Sequence, residues 1–110
     1  MSHIVELPSF TLKEGVSEAD FLLAHEKLNR DFMAKQEGYV SHELLRDGGK
    51  WFDLAVWESM EAKEKAFKDI YGNAAAIEYI ALIDQIGTDD DIPIFTVVKS
   101  YPTVSELQDR

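Results

Sequence analysis

Two histidines of this chain lie among apolar residues, at positions where acid–base chemistry is possible. His25 falls between Phe21 and Leu28, which recur at helical spacing and belong to one apolar stripe. Because an imidazole titrates near pH ~6.5, a residue of this kind can deprotonate a phenol or a hydroquinone. The alternative interpretation is a core histidine that hydrogen-bonds a neighbouring strand.

His42 alternates with Val40 and Leu44 along a predicted strand, so these three side chains should share one face. If that face meets the helices, His42 and His25 converge on one pocket. We therefore take His25 and His42 as candidate catalytic residues. A hydrogen-bonded structural histidine is again the alternative interpretation of His42.

Metal and cofactor sites are not predicted. His3, His25 and His42 lie on different predicted elements and no two of them are spaced i, i+4, so a three-histidine metal site is not expected. The acidic run at residues 89–91 lacks the spacing and the final Glu of an EF-hand loop. The chain has no cysteine, no glycine-rich dinucleotide motif and no P-loop. We expect a protein that works without a cofactor.

Other polar side chains interrupt the predicted strands, where they can line a pocket or form hydrogen bonds at an interface. They are Glu6, Ser9, Ser41, Glu43 and Asp53. Asp53 shares its strand face with two tryptophans, and an unpaired charge there would be costly to bury. We expect Asp53 to pair with Arg46, Lys99 or a backbone amide.

Length and charge limit the classes of function. A chain of 110 residues fits one domain, which we place at residues 1–102, followed by a solvated tail at 103–110. Acidic residues outnumber basic ones 21 to 11, for a net charge of −10. This disfavours nucleic acid and anionic membranes, which bind positive surfaces. No apolar run approaches the ~20 residues of a membrane helix, and no secretory signal is visible. We expect a cytoplasmic protein.

The pattern of caps and turns predicts four strands and three helices. Ser17, Ser59 and Asn73 are expected to cap the three helices, and Gly38 to end the first. Asp47-Gly48-Gly49-Lys50 predicts a hairpin. The predicted strands are residues 4–12, 39–46, 51–58 and 92–101, and the predicted helices are residues 18–36, 60–71 and 74–84.

This order, β-α-β-β-α-α-β, is that of the ferredoxin-like split βαβ fold of the α+β class. It predicts a four-stranded antiparallel sheet with helices on one face. The strand at 51–58 carries large apolar groups on both faces, so the second face also needs cover. We expect a second copy of the chain to supply it, in a homodimer whose interface contains Trp51, Asp53 and Trp57.

Three stretches resemble the antibiotic biosynthesis monooxygenase family: Glu37-Gly38-Tyr39-Val40-Ser41, then Leu44-Leu45-Arg46, and residues 51–59 after a glycine turn. The resemblance covers about residues 4–100. It implies a dimeric α+β barrel, with two sheets packed face to face and a pocket between each sheet and its own helices. Members oxidise polycyclic aromatics, quinols or haem with O₂, without flavin or a dedicated metal site.

The resemblance also implies where a ligand would bind. On the inward faces of the predicted helices, the pocket residues would be Phe21, Leu28, Phe32 and Phe67. Haem-degrading members carry an Asn on the first strand and a His in the second half, and this chain has neither at residues 4–12 and 60–90. We predict a cofactor-independent monooxygenase for a small or medium aromatic of the quinol or phenol type. The alternative is a non-catalytic binding or structural module on the same barrel.

Overall fold

The computed structural model describes residues 3–85 and 92–102. Its strands are β1 (Ile4–Glu6), β2 (Ser9–Leu12), β3 (Tyr39–Asp47), β4 (Lys50–Trp57), β5 (Ile83–Gln85) and β6 (Ile94–Thr96), and its α-helices are α1 (Glu18–Asp31), α2 (Met60–Asp69) and α3 (Ala74–Ile80). Single 3₁₀ turns follow at Met33–Lys35 and Ile70–Gly72. The acidic run at 89–91 and the predicted tail at 103–110 lie outside the described residues. Within the described part, no helix is long and apolar enough to cross a bilayer.

Each α-helix begins after the residue predicted to cap it. The side-chain oxygens of Ser17, Ser59 and Asn73 accept hydrogen bonds of 3.1, 3.1 and 3.0 Å from backbone N–H groups three residues further on. These bonds satisfy N–H groups that have no partner inside the first turn, typically worth ~1 kcal/mol each. α1 ends earlier than predicted, at Asp31, and the 3₁₀ turn at Met33–Lys35 completes the exit.

β4 lies in the middle of the sheet. One of its edges pairs with β3, and the other pairs with β1 and β2 in succession. β6 pairs with the outer edge of β1 and β5 with the outer edge of β2, and every pairing is antiparallel. β1 and β2 together form one row beside β4, and β6 and β5 form the row outside it. Counted by rows, the strand order is that of the predicted ferredoxin-like sheet. The fold class is confirmed, with six short strands in place of four.

The first predicted strand is divided at Pro8, because proline has no N–H for the ladder. The carbonyl of Pro8 still accepts a 3.0 Å hydrogen bond from the N–H of Asp53, so pairing with β4 continues across the break. The sequence pattern extends the third helix to residue 84, but α3 ends at Ile80 and β5 follows. The free edge of β2 explains this difference, since it offers backbone hydrogen-bonding groups to residues 83–85.

The helices cover the sheet face that carries the two tryptophans. Trp51, Asp53 and Trp57 are only 7%, 8% and 1% exposed within a single chain, and the rings of Phe21 and Trp51 lie 5.0 Å apart. The assignment of Trp51, Asp53 and Trp57 to a dimer interface is therefore wrong, because these side chains point into the core of their own chain. Alternation along β4 turns the even-numbered apolar residues of that strand to the opposite face.

The turn into β3 is expected to tolerate only glycine at position 38. Gly38 has φ of +84°, and a Cβ at this position would overlap the Cβ of Ala62 on α2. We expect Gly38→Ala to lower the free energy of unfolding by about 3 kcal/mol, since a left-handed conformation and an overpacked contact each cost ~1–2 kcal/mol. Urea denaturation measures this loss.

Gly15→Ala is the matched control. Gly15 has a similar φ of +85°, but a Cβ there would meet nothing within 4 Å. Gly15→Ala should lower the free energy of unfolding only by the cost of the left-handed backbone conformation, ~1 kcal/mol. Equal losses for the two variants would show that the approach of α2 to Gly38 imposes no constraint.

Candidate functional site

Asp53 is the charged centre of a hydrogen-bonded cluster beneath the helices. Its Oδ1 accepts a hydrogen bond of 3.1 Å from Nε2 of His25 and a shorter one from Nε2 of His42. Its Oδ2 accepts a 3.1 Å hydrogen bond from the hydroxyl of Tyr79. These donors come from α1, β3 and α3. The expected partners of Asp53 (Arg46, Lys99 or a backbone amide) are therefore wrong, and His25, His42 and Tyr79 take their place.

The two histidines converge, with ring centroids 4.7 Å apart. His25 reaches the sheet from the same stripe of α1 that buries Phe21 and Leu28. His42 is in register with Ala55 and Leu44 with Asp53, so both face the helices. The sequence left open whether the face of β3 that carries His42 meets the helices. In the structure it does.

A β-bulge at the start of β3 adds a further side chain to this face. The register with β4 shifts between Tyr39 and Ser41, which leaves Val40 without a register partner. The extra residue changes the alternation by one, so Tyr39 and His42 both point toward the helices. Val40, which was expected to share the face of His42, is the residue displaced by the bulge.

Asn29 holds His42 from the other side. Its Oδ1 accepts hydrogen bonds of 3.1 Å from Nδ1 of His42 and from the hydroxyl of Tyr39. Nε2 of the His42 ring faces the Asp53 carboxylate. Both nitrogens of His42 are therefore engaged by oxygen atoms of neighbouring side chains.

The environment moves the pKa values of Asp53 and Tyr79 in opposite directions. Burial by itself raises the pKa of Asp53, but the hydrogen bonds and charges of His25 and His42 outweigh burial and hold the pKa at about 2. Burial, with the adjacent Asp53 charge and its hydrogen bond, raises the pKa of Tyr79 well above its ordinary value. Asp53 is therefore a carboxylate and Tyr79 a neutral donor across the neutral pH range.

A cavity of about 110 Å³ lies between the sheet and the helices, next to this cluster. Of the predicted pocket residues, Leu28, Phe32 and Phe67 line it, whereas Phe21 packs against Trp51 in the core instead. Asp53 and Tyr79 also line the cavity. His25 and His42 are not among the lining residues, and they contact the cavity wall through their hydrogen bonds to Asp53.

Glu6 is a second carboxyl group on the cavity wall. It faces the helices because β1 pairs Glu6 with Ala55, and its Oε1 accepts a 2.8 Å hydrogen bond from Nε1 of Trp57. Burial and the charge of Asp53 raise the pKa of Glu6, and the Trp57 hydrogen bond, Lys63 and His42 oppose this shift without cancelling it. The sequence placed Glu6 only among polar strand residues. Its alternation with Ile4, on the buried side of β1, is the signal that could have placed it here.

The cluster also resembles a metal site in composition. His25, His42 and Asp53 present one ligand atom each within 4.8 Å of one another, whereas His3 lies elsewhere and is exposed. A zinc ion bound at 2.0–2.2 Å from each atom would need these atoms roughly 3.3 Å apart around it. Here Asp53 instead accepts hydrogen bonds directly from His25 and His42.

Comparison with known proteins gives similarity in structure alone. No protein-family model and no curated protein matches the chain. SnoaB, a cofactor-independent oxygenase from Streptomyces nogalater, is 23% identical with a TM-score of 0.72, over 94% of this chain and 100% of SnoaB. A protein from Bordetella bronchiseptica, assigned as an antibiotic biosynthesis monooxygenase, is 16% identical with a TM-score of 0.65, over 92% and 100% of the two chains.

A further structure with the same assignment, from Chloroflexus aurantiacus, is 14% identical with a TM-score of 0.63, over 91% of this chain and 97% of its own. At these identities the likeness shows that the fold is shared. It includes the layer of helices over one sheet face in which the Asp53 cluster lies.

Asp53→Asn should destabilise the protein by about 3 kcal/mol at pH 7, because it removes the charge that pairs with two buried rings. The pKa of Asp53 falls from 3.8 to about 2 on folding. The stabilisation is therefore complete above pH 3.8 and is lost as the pH falls toward about 2. Urea denaturation at pH 7, 4 and 2.5 should show a larger loss in the wild type than in the variant, which keeps only the contribution of other carboxyl groups such as Asp31.

Asp69→Asn, which changes an exposed aspartate on α2, is the control and should keep the wild-type acid dependence. If Asp53→Asn unfolds with the wild-type free energy at pH 7, the cluster does not stabilise the fold as described.

Proposed function

We propose that this protein, which has the fold of the antibiotic biosynthesis monooxygenases, is a cofactor-independent monooxygenase for a small or medium aromatic of the quinol or phenol type. The observation that carries the proposal is a carboxylate, paired with two histidines, on the wall of an otherwise largely apolar cavity. Apolar walls with a few convergent polar groups are typical of small-molecule sites.

The substrate ring would lie among the apolar side chains of the cavity with one hydroxyl directed at Asp53. Oδ1 of Asp53 already accepts two hydrogen bonds, whereas Oδ2 accepts only that of Tyr79 and retains a second lone pair for the substrate hydroxyl. His25 is the better candidate for the base, because both nitrogens of His42 are already engaged by side-chain oxygens. No described residue hydrogen-bonds Nδ1 of His25. Since His25 does not line the cavity and its Nε2 already donates to Asp53, the proton would reach the free Nδ1 through a water molecule.

The resulting phenolate can pass electrons to O₂, and the reaction balances without a reductant. A hydroquinone and O₂ give a hydroxyquinone and water: one oxygen atom enters the ring as a C–O bond that replaces C–H, and the other leaves as water. The four electrons that reduce O₂ come from the ring. The protein supplies a dry cavity and a place for the proton, as oxidation of this type requires.

Oxygen consumption tests this function. The purified protein should consume O₂ with at least one member of a panel of hydroquinones and phenols, and His25→Ala should lower kcat by about 10²-fold, the usual minimum contribution of a general base. His3→Ala removes an exposed histidine outside the cluster and should change nothing. If the protein binds members of the panel but consumes no oxygen with any of them, the proposed monooxygenase activity is contradicted and a binding module is favoured.

We also propose that the protein is a homodimer, through the opposite sheet face from the one first assigned. Side chains of Val5, Leu45, Phe52, Leu54, Val56 and Phe95 share this face by register. None of them belongs to the buried core, and Leu45 and Phe95 are exposed. Ser9, Ser41 and Glu43 share this face, which is otherwise apolar. An exposed surface of this composition marks an interaction surface. A two-fold pairing of the same face on two chains would cover it.

Light scattering coupled to gel filtration should give twice the chain mass of 12.5 kDa. Phe52→Lys, opposite Leu45 on this face, should produce a monomer, because its cross-strand neighbours are Leu45 and Ser9 and a lysine ammonium cannot be buried there unpaired. Leu22→Lys, on the exposed side of α1, should remain dimeric. A wild-type monomer at micromolar concentration would refute the dimer.

A further inference from the structure

We propose that Glu6 binds a second hydroxyl group of the substrate, so that the cavity selects aromatic rings with two hydroxyls over rings with one. This inference rests on the proposed function, because it concerns the same cavity. It names the substrate class more narrowly, as dihydroxy aromatics of the hydroquinone type, and assigns Glu6 as the residue that determines the preference.

The geometry places the two carboxyl groups on the same wall. Glu6 is in register with Ala55, two residues from Asp53 along β4, and both acidic side chains face the helices. Diagonal neighbours of this kind have Cα atoms roughly 7–8 Å apart. A single ring that lies across the two side chains, with hydroxyls on its opposite sides, can direct one hydroxyl at Asp53 and the other at Glu6.

The hydrogen bonding of Glu6 leaves one oxygen free for a ligand. Nε1 of Trp57 donates to Oε1 and holds the carboxyl against the wall. No described residue donates to Oε2, yet no fully buried side-chain oxygen in the described part is without a partner. Oε2 is therefore open, and since Glu6 lines the cavity, it can accept a hydrogen bond from a bound hydroxyl.

The surroundings of Glu6 favour an accepting carboxyl group. Lys63 from α2, His42 from β3 and the N–H of Trp57 from β4 stabilise its charge, while burial and Asp53 oppose it. Tyr71 and Tyr79 also line the cavity. The pKa of Glu6 is raised, so its carboxylate is a stronger proton acceptor than Asp53. Two carboxyls whose pKa values are displaced in opposite directions can take different roles in one site.

Anaerobic binding of two matched probes tests the assignment without depending on catalysis. The probes are nitrohydroquinone and 2-nitrophenol, which differ by one hydroxyl, and their absorbance reports binding directly. The wild type should bind nitrohydroquinone at least tenfold more tightly, the expected effect of one hydrogen bond to a charged group. Glu6→Gln should reduce that ratio to about twofold. Glu64→Gln, an exposed position on α2, should preserve it.

Glu6→Asp provides a second variant if Glu6→Gln folds poorly by circular dichroism. It keeps the charge but withdraws the carboxyl by one methylene, so the preference should also be lost. An unchanged ratio in a folded Glu6 variant, or no preference in the wild type, would overturn the proposal. Oxygen uptake with no effect of Glu6 on the ratio refutes this inference alone. A ratio that depends on Glu6, without oxygen uptake, refutes only the oxygenase.

Discussion

The buried carboxylate of Asp53 is the constraint on which the rest of the structure depends. Removing one charge from water costs several kcal/mol unless partners replace the lost hydrogen bonds. Here the partners are side chains of α1, β3 and α3, namely His25, His42 and Tyr79. One acidic residue on the central strand therefore links the sheet to two helices, and it sets which faces of those helices turn inward.

The cavity beside Asp53 has apolar and charged parts of its wall. The ring of Phe32 and the side chain of Leu28 give apolar walls, while Asp53 presents a charge at one position and Glu6 a carboxyl at another. Because histidines surround Asp53 and apolar burial dominates at Glu6, the pKa values of the two carboxyls are displaced in opposite directions. The cavity wall therefore combines apolar side chains with two carboxyl groups of different proton affinity.

The two faces of β4 show how far sequence patterns reach. Both faces are apolar, and alternation alone correctly indicates that both need cover. It cannot say which face the helices take. The sequence alone allowed the charge of Asp53 to be paired at an interface between two chains. In the structure, two of its hydrogen-bond donors, His25 and Tyr79, lie on helices of the same chain. The need for those donors places the tryptophan face under the helices and turns the Phe52 face away from them.

The sequence by itself determined the order of elements, the helix caps at Ser17, Ser59 and Asn73, and hence the fold class, because caps, turns and periodicity act over a few residues. It also identified His25 and His42 as the histidines of interest. Tertiary structure alone decided the bulge at residue 40, the extra strand β5, and the convergence on Asp53. These depend on contacts between residues far apart in the chain, whose energies no local pattern encodes. The cavity position of Glu6 has the same origin, since it follows from pairing across the sheet.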